Sequence, residues 1–143
     1  TMSENIERVK RITSHITVPL IADMDTGYGN PINVIRTVNE SIHAGAAAII
    51  LEDQSWPKRC GHMEGKSVIP LKDHVEKIKA AAYARGDSDL VIIARTDSRG
   101  THNLDEAIKR GKTLEQSGAD VATLEELLLR KAEIRKKMQV NSV

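Results

Sequence analysis

Phenylalanine is absent from the 143 residues, and Trp56 and two tyrosines are the only aromatic side chains. A core must therefore be built from Ile, Val, Leu and Ala. That suits a barrel or a doubly wound α/β sheet, and it argues against aromatic stacking platforms for single-stranded nucleic acid. One cysteine excludes an internal disulfide and fits a reducing compartment. A formal net charge of +1, with basic and acidic residues interspersed, gives no long-range pull on nucleic acid or anionic membrane. No apolar run approaches the roughly 18 residues a membrane span needs. Thr1 to Arg11 is polar and lacks the apolar core of a signal peptide. With 29% charged and 40% hydrophobic residues, the composition is that of a globular chain rather than a disordered one. The expectation is one soluble cytoplasmic domain over residues 1–143, with no nucleic-acid or membrane partner.

What is present repeats as strand then helix. Ser3 is a candidate cap for a helix carrying Ile6, Val9 and Ile12 on one face. Val18 to Ala22 reads as a short strand ending at Asp23, followed by the glycine-containing loop Asp23-Met-Asp-Thr-Gly-Tyr-Gly-Asn30. Asn30 and Pro31 open a helix with Ile32, Ile35, Val38 and Ile42, which Gly45 ends. Ala46 to Leu51 is a second strand, ending at Glu52 and Asp53. The stretch from Asp53 to Ile69 has no periodicity and is long enough to be a binding loop. Then come a helix from about Pro70 to Arg85, a strand Leu90 to Ala94 ending at Arg95-Thr96-Asp97, and a helix capped by Asn103 and ended by Gly118. A weaker fourth strand, Ala119 to Leu124, ends at Glu125-Glu126, and Leu127 to Gln139 reads as a charged amphipathic helix. Apolar strands alternating with helices indicate a parallel sheet. The fold class is α/β, about four βα units of a (β/α)₈ barrel or of a doubly wound sheet. A complete barrel needs about 250 residues.

Every strand ends in charge, and in parallel α/β folds the carboxyl ends of the strands floor the active site. If strand geometry persists past Asp23, the carboxylates of Asp23 and Asp25 point the same way. Two convergent carboxylates suit Mg²⁺, which keeps several waters, and Glu52 could hold those waters. The alternative is a turn with Asx-type hydrogen bonds. Cys60 lies in Lys58-Arg-Cys-Gly-His62, where neighbouring cations lower a thiol pKa, so it is a plausible acid/base; otherwise it is a small residue packed under the loop. One Cys and one nearby His do not complete a zinc site. Arg95 can grip a substrate carboxylate with two prongs, or it pairs with a strand-end carboxylate. His43, His74 and His102 read as surface residues, and the Arg130 to Lys137 run as a solvated helix face.

The motifs DMDTGYGN (23–30), LEDQ (51–54), KRCGH (58–62) and IARTD (93–97), in this order, resemble the isocitrate lyase/phosphoenolpyruvate mutase superfamily from about Asn5 to Glu126. KRCGH resembles the lyase branch, 2-methylisocitrate lyases in particular. The resemblance implies the middle of a TIM barrel and a Mg²⁺-dependent (or Mn²⁺-dependent) C–C lyase acting on a small 2-hydroxy di- or tricarboxylate. It implies Asp23 and Asp25 as organisers of the metal, with Asp25 closer, and Glu52 ligating through water. Cys60 would protonate the carbanion left by cleavage. Gly61 and His62 would help bind a substrate carboxylate, Arg95 would bind substrate oxygens, and Glu125 would sit near the metal's waters. A carboxyphosphonoenolpyruvate phosphonomutase-like enzyme shares much of the motif set, and a non-catalytic fragment of the family is a further alternative. Full-length family members are expected to be homo-oligomers. A half-barrel alone exposes two sheet edges and an apolar face.

Overall fold

The computed structural model describes residues 1–59 and 65–124. Helix α1 spans Met2–Thr13, strand β1 Ile21–Asp23, α2 Pro31–His43, β2 Ala48–Glu52, α3 Leu71–Arg85, β3 Val91–Thr96, the single turn α4 Ser98–Thr101, α5 Leu104–Gln116 and β4 Val121–Leu124. The four strands form one sheet in the order β1-β2-β3-β4, every pair parallel. The strands therefore begin one to three residues later than the hydropathy suggests, and Val18 is 67% exposed. The amphipathic helix expected over 127–139 lies outside the described residues.

Local chemistry explains most boundaries. Asn30 accepts the N–H groups of Ile32 and Asn33, and Pro31 occupies the first helical position of α2. Asn103 likewise accepts the Glu106 N–H at the start of α5. Ser3 is not the cap of α1: Thr1, two residues earlier, is the cap and forms a reciprocal capping box with Glu4, and Ser3 lies inside the helix. The buried face of α2 also departs from expectation. It carries Val34, Thr37, Val38 and Ser41, while Ile32 is 75% exposed. Two hydroxyls sit inward because each has an acceptor: Thr37 Oγ1 donates to the Gly27 carbonyl at 3.1 Å, and Ser41 Oγ to the Thr37 carbonyl at 2.7 Å. Hydropathy alone misplaces a helix face of this kind.

The core lies between the sheet and its helices. Ile49, Leu51, Ile92 and Ala94 meet Val34 and Val38 of α2, Ile78 and Ala81 of α3 and Leu114 of α5. On the other face, alternation and register line up Ile21, Ile50, Val91, Ile93 and Val121, with Asp23, Glu52, Arg95 and Thr123 at the carboxyl end. The sheet thus has one face under helices and one face whose polar rim is the candidate site.

Candidate active site

Strand pleating decides which strand-end charges reach the rim. Glu52 and Arg95 are register partners, so their side chains lie side by side, with Arg95 Nε 3.5 Å from Glu52 Oε2. Their successors Asp53 and Thr96 turn to the helix side and are fully buried. Asp23 ends β1, but the strand does not continue to Asp25 as the two-residue spacing predicts. Asp25 has φ of 58°, a left-handed conformation that Asp tolerates better than most residues. Its N–H donates to Asp23 Oδ1 at 2.8 Å, its carbonyl accepts from the Glu52 N–H at 2.9 Å, and its Oδ1 accepts from the Thr26 N–H at 2.7 Å. A turn, rather than a strand, therefore brings Asp25 beside Glu52. Gly27 makes the turn compact: its φ is 85°, and a Cβ there would lie 2.6 Å from Val34 Cγ2.

Asp25 and Glu52 converge on a cation supplied by the chain. Lys58 Nζ lies 2.9 Å from Asp25 Oδ2 and 3.1 Å from Glu52 Oε1. Burial opposes the Lys58 charge, but its bonds to Asp25 and Glu52 outweigh that and hold the ammonium well above the usual lysine range. Burial pushes the Glu52 carboxyl up, against the pull of Lys58 and Arg95. No three carboxylate, His or Cys side chains among the described residues gather closely enough to hold a metal directly. The donors fit Mg²⁺ in its usual manner, with one or two carboxylates in contact and waters completing the shell. The place that Lys58 Nζ takes shows that Asp25 and Glu52 share space for a positive charge.

Behind this rim lies a buried polar layer. Asp53 accepts from Thr96 Oγ1 at 2.6 Å, the Asp97 N–H at 2.9 Å and Arg110 Nη1 at 3.0 Å. Arg110 also donates to the Ile69 carbonyl at 2.9 Å and to Glu106 at 3.0 Å. His74, expected on the surface, is fully buried, with Nδ1 3.9 Å from Asp53 Oδ2. Burial lowers its pKa to about 4; Asp53 pulls upward, and Lys77 and Arg110 push further down. The ring is thus neutral at pH 7. Asp97 carries its carboxylate to the rim, where it meets Arg95, Gln54 and Lys66.

Of the residues singled out in the sequence, the structure brings Asp23, Asp25, Glu52 and Arg95 to one strand-end rim. Cys60, Gly61, His62 and Glu125 lie outside the described residues. Sequence reasoning passed over Lys58, Lys66, Gln54 and Arg110 as site-building groups, and it counted Asp97 only among the strand-end charges, with no role of its own. Lys58, Gln54 and Asp97 stand inside the quoted motifs and Lys66 four residues beyond KRCGH, whereas Arg110 carries no local signal in α5.

The family model described as phosphoenolpyruvate phosphomutase matches residues 1–141. The chain belongs to this family. Among its relatives, 2,3-dimethylmalate lyase of Eubacterium barkeri is 48% identical over 125 residues, covering 87% of this chain and 43% of that protein. A chloroplastic carboxyvinyl-carboxyphosphonate phosphorylmutase of Arabidopsis thaliana is 51% identical over 111 residues, covering 76% of this chain and 33% of the relative. The 2-methylisocitrate lyase of Aeropyrum pernix is 48% identical, covering 85% of this chain and 39% of that one. The chain thus spans about two-fifths of the length of the curated relatives it matches. The crystal structure of 2,3-dimethylmalate lyase, a PEP mutase/isocitrate lyase superfamily member, superposes with a TM-score of 0.83 at 42% identity, covering 87% of this chain and 42% of that chain. Phosphonopyruvate hydrolase complexed with oxalate and Mg²⁺ gives 0.77 at 38% identity, covering 87% of this chain and 42% of that chain. The four-stranded parallel sheet and its helices are therefore part of the TIM barrel of the phosphoenolpyruvate phosphomutase family, whose members include lyases and mutases.

Proposed function

We propose that this chain carries the carboxylate-and-arginine side of a Mg²⁺-dependent lyase site, which cleaves the C2–C3 bond of a 2-hydroxy di- or tricarboxylate such as 2-methylisocitrate or isocitrate. The observation that supports it is the convergence of Asp25 and Glu52 on one cation within about 3 Å, with Arg95 on the same rim. Asp25 would hold Mg²⁺, with Asp23 steadying the turn that carries it and Glu52 acting through water. When bound, the ion would stabilise negative charge on the C2 oxygen and orient the adjacent carboxylate. Arg95 would grip a substrate carboxylate in a charge-assisted contact. Loss of the C2 hydroxyl proton to solvent and rupture of the C2–C3 bond of 2-methylisocitrate would give pyruvate and a carbanion beside a carboxylate; Cys60 would donate its thiol proton to the latter, giving succinate, and regain a proton from solvent. Gly61 and His62 would receive a substrate carboxylate, and Glu125 would lie near the metal's waters. The reading extends to a cytoplasmic enzyme assembled from copies of itself, with small carboxylates as its ligands. Fractionation and sedimentation velocity check those two points.

The test is turnover of 2-methylisocitrate, isocitrate and 2,3-dimethylmalate with Mg²⁺, followed as 2-oxo-acid release. The lyase reading expects Cys60→Ser to lower the rate at least about a hundredfold with the fold intact. Failure of all three substrates and of P–C bond formation, alongside Mg²⁺ binding and an intact fold, would leave a non-catalytic family fragment. A phosphonomutase reading is favoured by the 51% identity to the plant phosphorylmutase. It expects P–C bond formation, seen by ³¹P NMR, and little effect of Cys60→Ser.

A further inference from the structure

The search for further chemistry leads to Asp97, which the proposed reaction leaves without a task. Its side chain is fully buried, yet its carboxylate meets the rim rather than the apolar core. Arg95 Nη2 lies 3.3 Å from each of its oxygens, Gln54 Nε2 donates to Oδ2 at 3.1 Å, and Lys66 Nζ donates to Oδ1 at 3.3 Å. The Asp97 backbone is itself fixed, since its N–H donates to Asp53. Each of the three partners belongs to a different part of the site. Arg95 comes from β3. Gln54 stands at the start of the connection between β2 and α3, and its Oε1 accepts the N–H of Arg59 at 2.9 Å. Arg59 directly precedes Cys60. Lys66 comes from the returning leg of the same connection.

The two legs are also tied to each other at their base. Gln54 and Val68 form an antiparallel bridge, the Ser55 N–H donates to the Ser67 carbonyl at 2.9 Å, and the two serine hydroxyls meet at 2.6 Å. Above that base, one carboxylate takes a bond from each leg and from the site arginine. A group needed only for folding would bond to the sheet or the core. This one bonds to two cations and an amide, and a buried carboxylate so placed fixes the direction of a planar guanidinium.

We propose that Asp97 is a positioning residue: it sets the Arg95 guanidinium for a substrate carboxylate and, through Gln54 and Lys66, holds both legs of the cysteine-bearing connection in register with that arginine. This rests on the reading of Arg95 as the carboxylate-binding group. The consequence is coupling. A change at Asp97, Gln54 or Lys66 should disturb carboxylate binding and thiol reactivity together, although none of the three touches the scissile bond.

Because the chain has a single cysteine, iodoacetamide alkylation reports Cys60 alone. The experiment compares the protein as it is with Asp97→Asn, Lys66→Met and Gln54→Met. The measurements are the alkylation rate, KM and kcat for 2-methylisocitrate, and oxalate affinity with Mg²⁺ by calorimetry. The expected result for Asp97→Asn is a KM and an oxalate Kd raised about tenfold or more, with an alkylation rate changed at least about threefold. Each single-tie variant should shift both readouts in the same direction by less. If Asp97→Asn fails to fold, Lys66→Met and Gln54→Met carry the test. Unchanged alkylation and unchanged carboxylate affinity in folded variants overturn the proposal while turnover by the parent protein keeps the lyase reading. A parent protein that neither turns over nor binds oxalate, with alkylation still shifted in the variants, removes the Arg95 assignment and keeps the tie between Asp97 and the two legs.

Discussion

Replacing His74 with leucine should flatten the acid side of the protein's stability curve. The imidazole is fully buried, faced by Asp53, Lys77 and Arg110, and neither ring nitrogen makes a hydrogen bond of good geometry among the described residues. Its pKa falls from 6.5 to about 4 on folding. The sign follows from proton uptake. Below pH 6.5 the unfolded chain binds a proton at this position, and the folded chain does not until about pH 4, so stability drains away as pH falls through that window. At about 1.4 kcal/mol per pH unit the whole fall amounts to roughly 3–4 kcal/mol, of which about 3 kcal/mol is lost by pH 4, where the folded ring is half protonated. That is a large part of the 5–15 kcal/mol typical of a folded domain. Urea unfolding followed by circular dichroism at steps from about pH 7 to pH 4 gives the free energy of the parent and of His74→Leu, and the difference cancels the other carboxylates that titrate there. The variant should lose about 3 kcal/mol less than the parent over the range. Parallel curves would refute the account of His74 as a buried neutral base.

Three further outcomes are expected. Asp53→Asn removes the buried one of the two carboxylates that pair with Arg110, leaving only Glu106, and breaking that buried pair costs about 3–5 kcal/mol. At about 2–4 °C per kcal/mol this lowers Tm by roughly 6–20 °C in scanning calorimetry, and a fall below about 2 °C contradicts the ion-pair argument. Lys58→Met removes the cation shared by Asp25 and Glu52, so the Glu52 carboxyl should titrate at a still higher pH in a carbon-detected NMR titration. An unmoved or lowered value contradicts the pairing. Gly27→Ala forces a Cβ to 2.6 Å from Val34 Cγ2, whereas Gly86→Ala, also at positive φ, meets nothing within 4 Å. Urea midpoints should therefore fall further for Gly27→Ala, by about 1–3 kcal/mol more, and equal losses would show that backbone strain alone decides both.

The parts of the fold legible in the sequence were those encoded by short-range chemistry. Asn30-Pro31 and Asn103 mark helix starts because their side chains satisfy N–H groups within three residues, and the apolar runs at Ile49 and Ile92 mark strands because both end under helices. The inward face of α2 was not legible, since Thr37 and Ser41 are buried through hydrogen bonds that a hydropathy pattern does not contain. The same holds for the site. Asp25, Glu52 and Arg95 were readable from their places at strand ends. The turn that delivers Asp25 depends on a left-handed residue and on a bond to Glu52, 27 positions away, that no local spacing reveals. His74 and Arg110 were misjudged or missed for a similar reason: both answer to Asp53, from helices 21 and 57 residues further along.

The parity of β2 has an evolutionary corollary. Glu52 and Asp53 are chemically near-identical neighbours, yet one faces ligand space and the other anchors the foundations. Losing or gaining a single residue within that strand would exchange the two, sending the foundation acid to the rim and taking from Arg110 its buried partner. Innovation in such a scaffold is accordingly confined to side-chain replacement and to changes in the connections between strands, where length can vary without inverting the sheet.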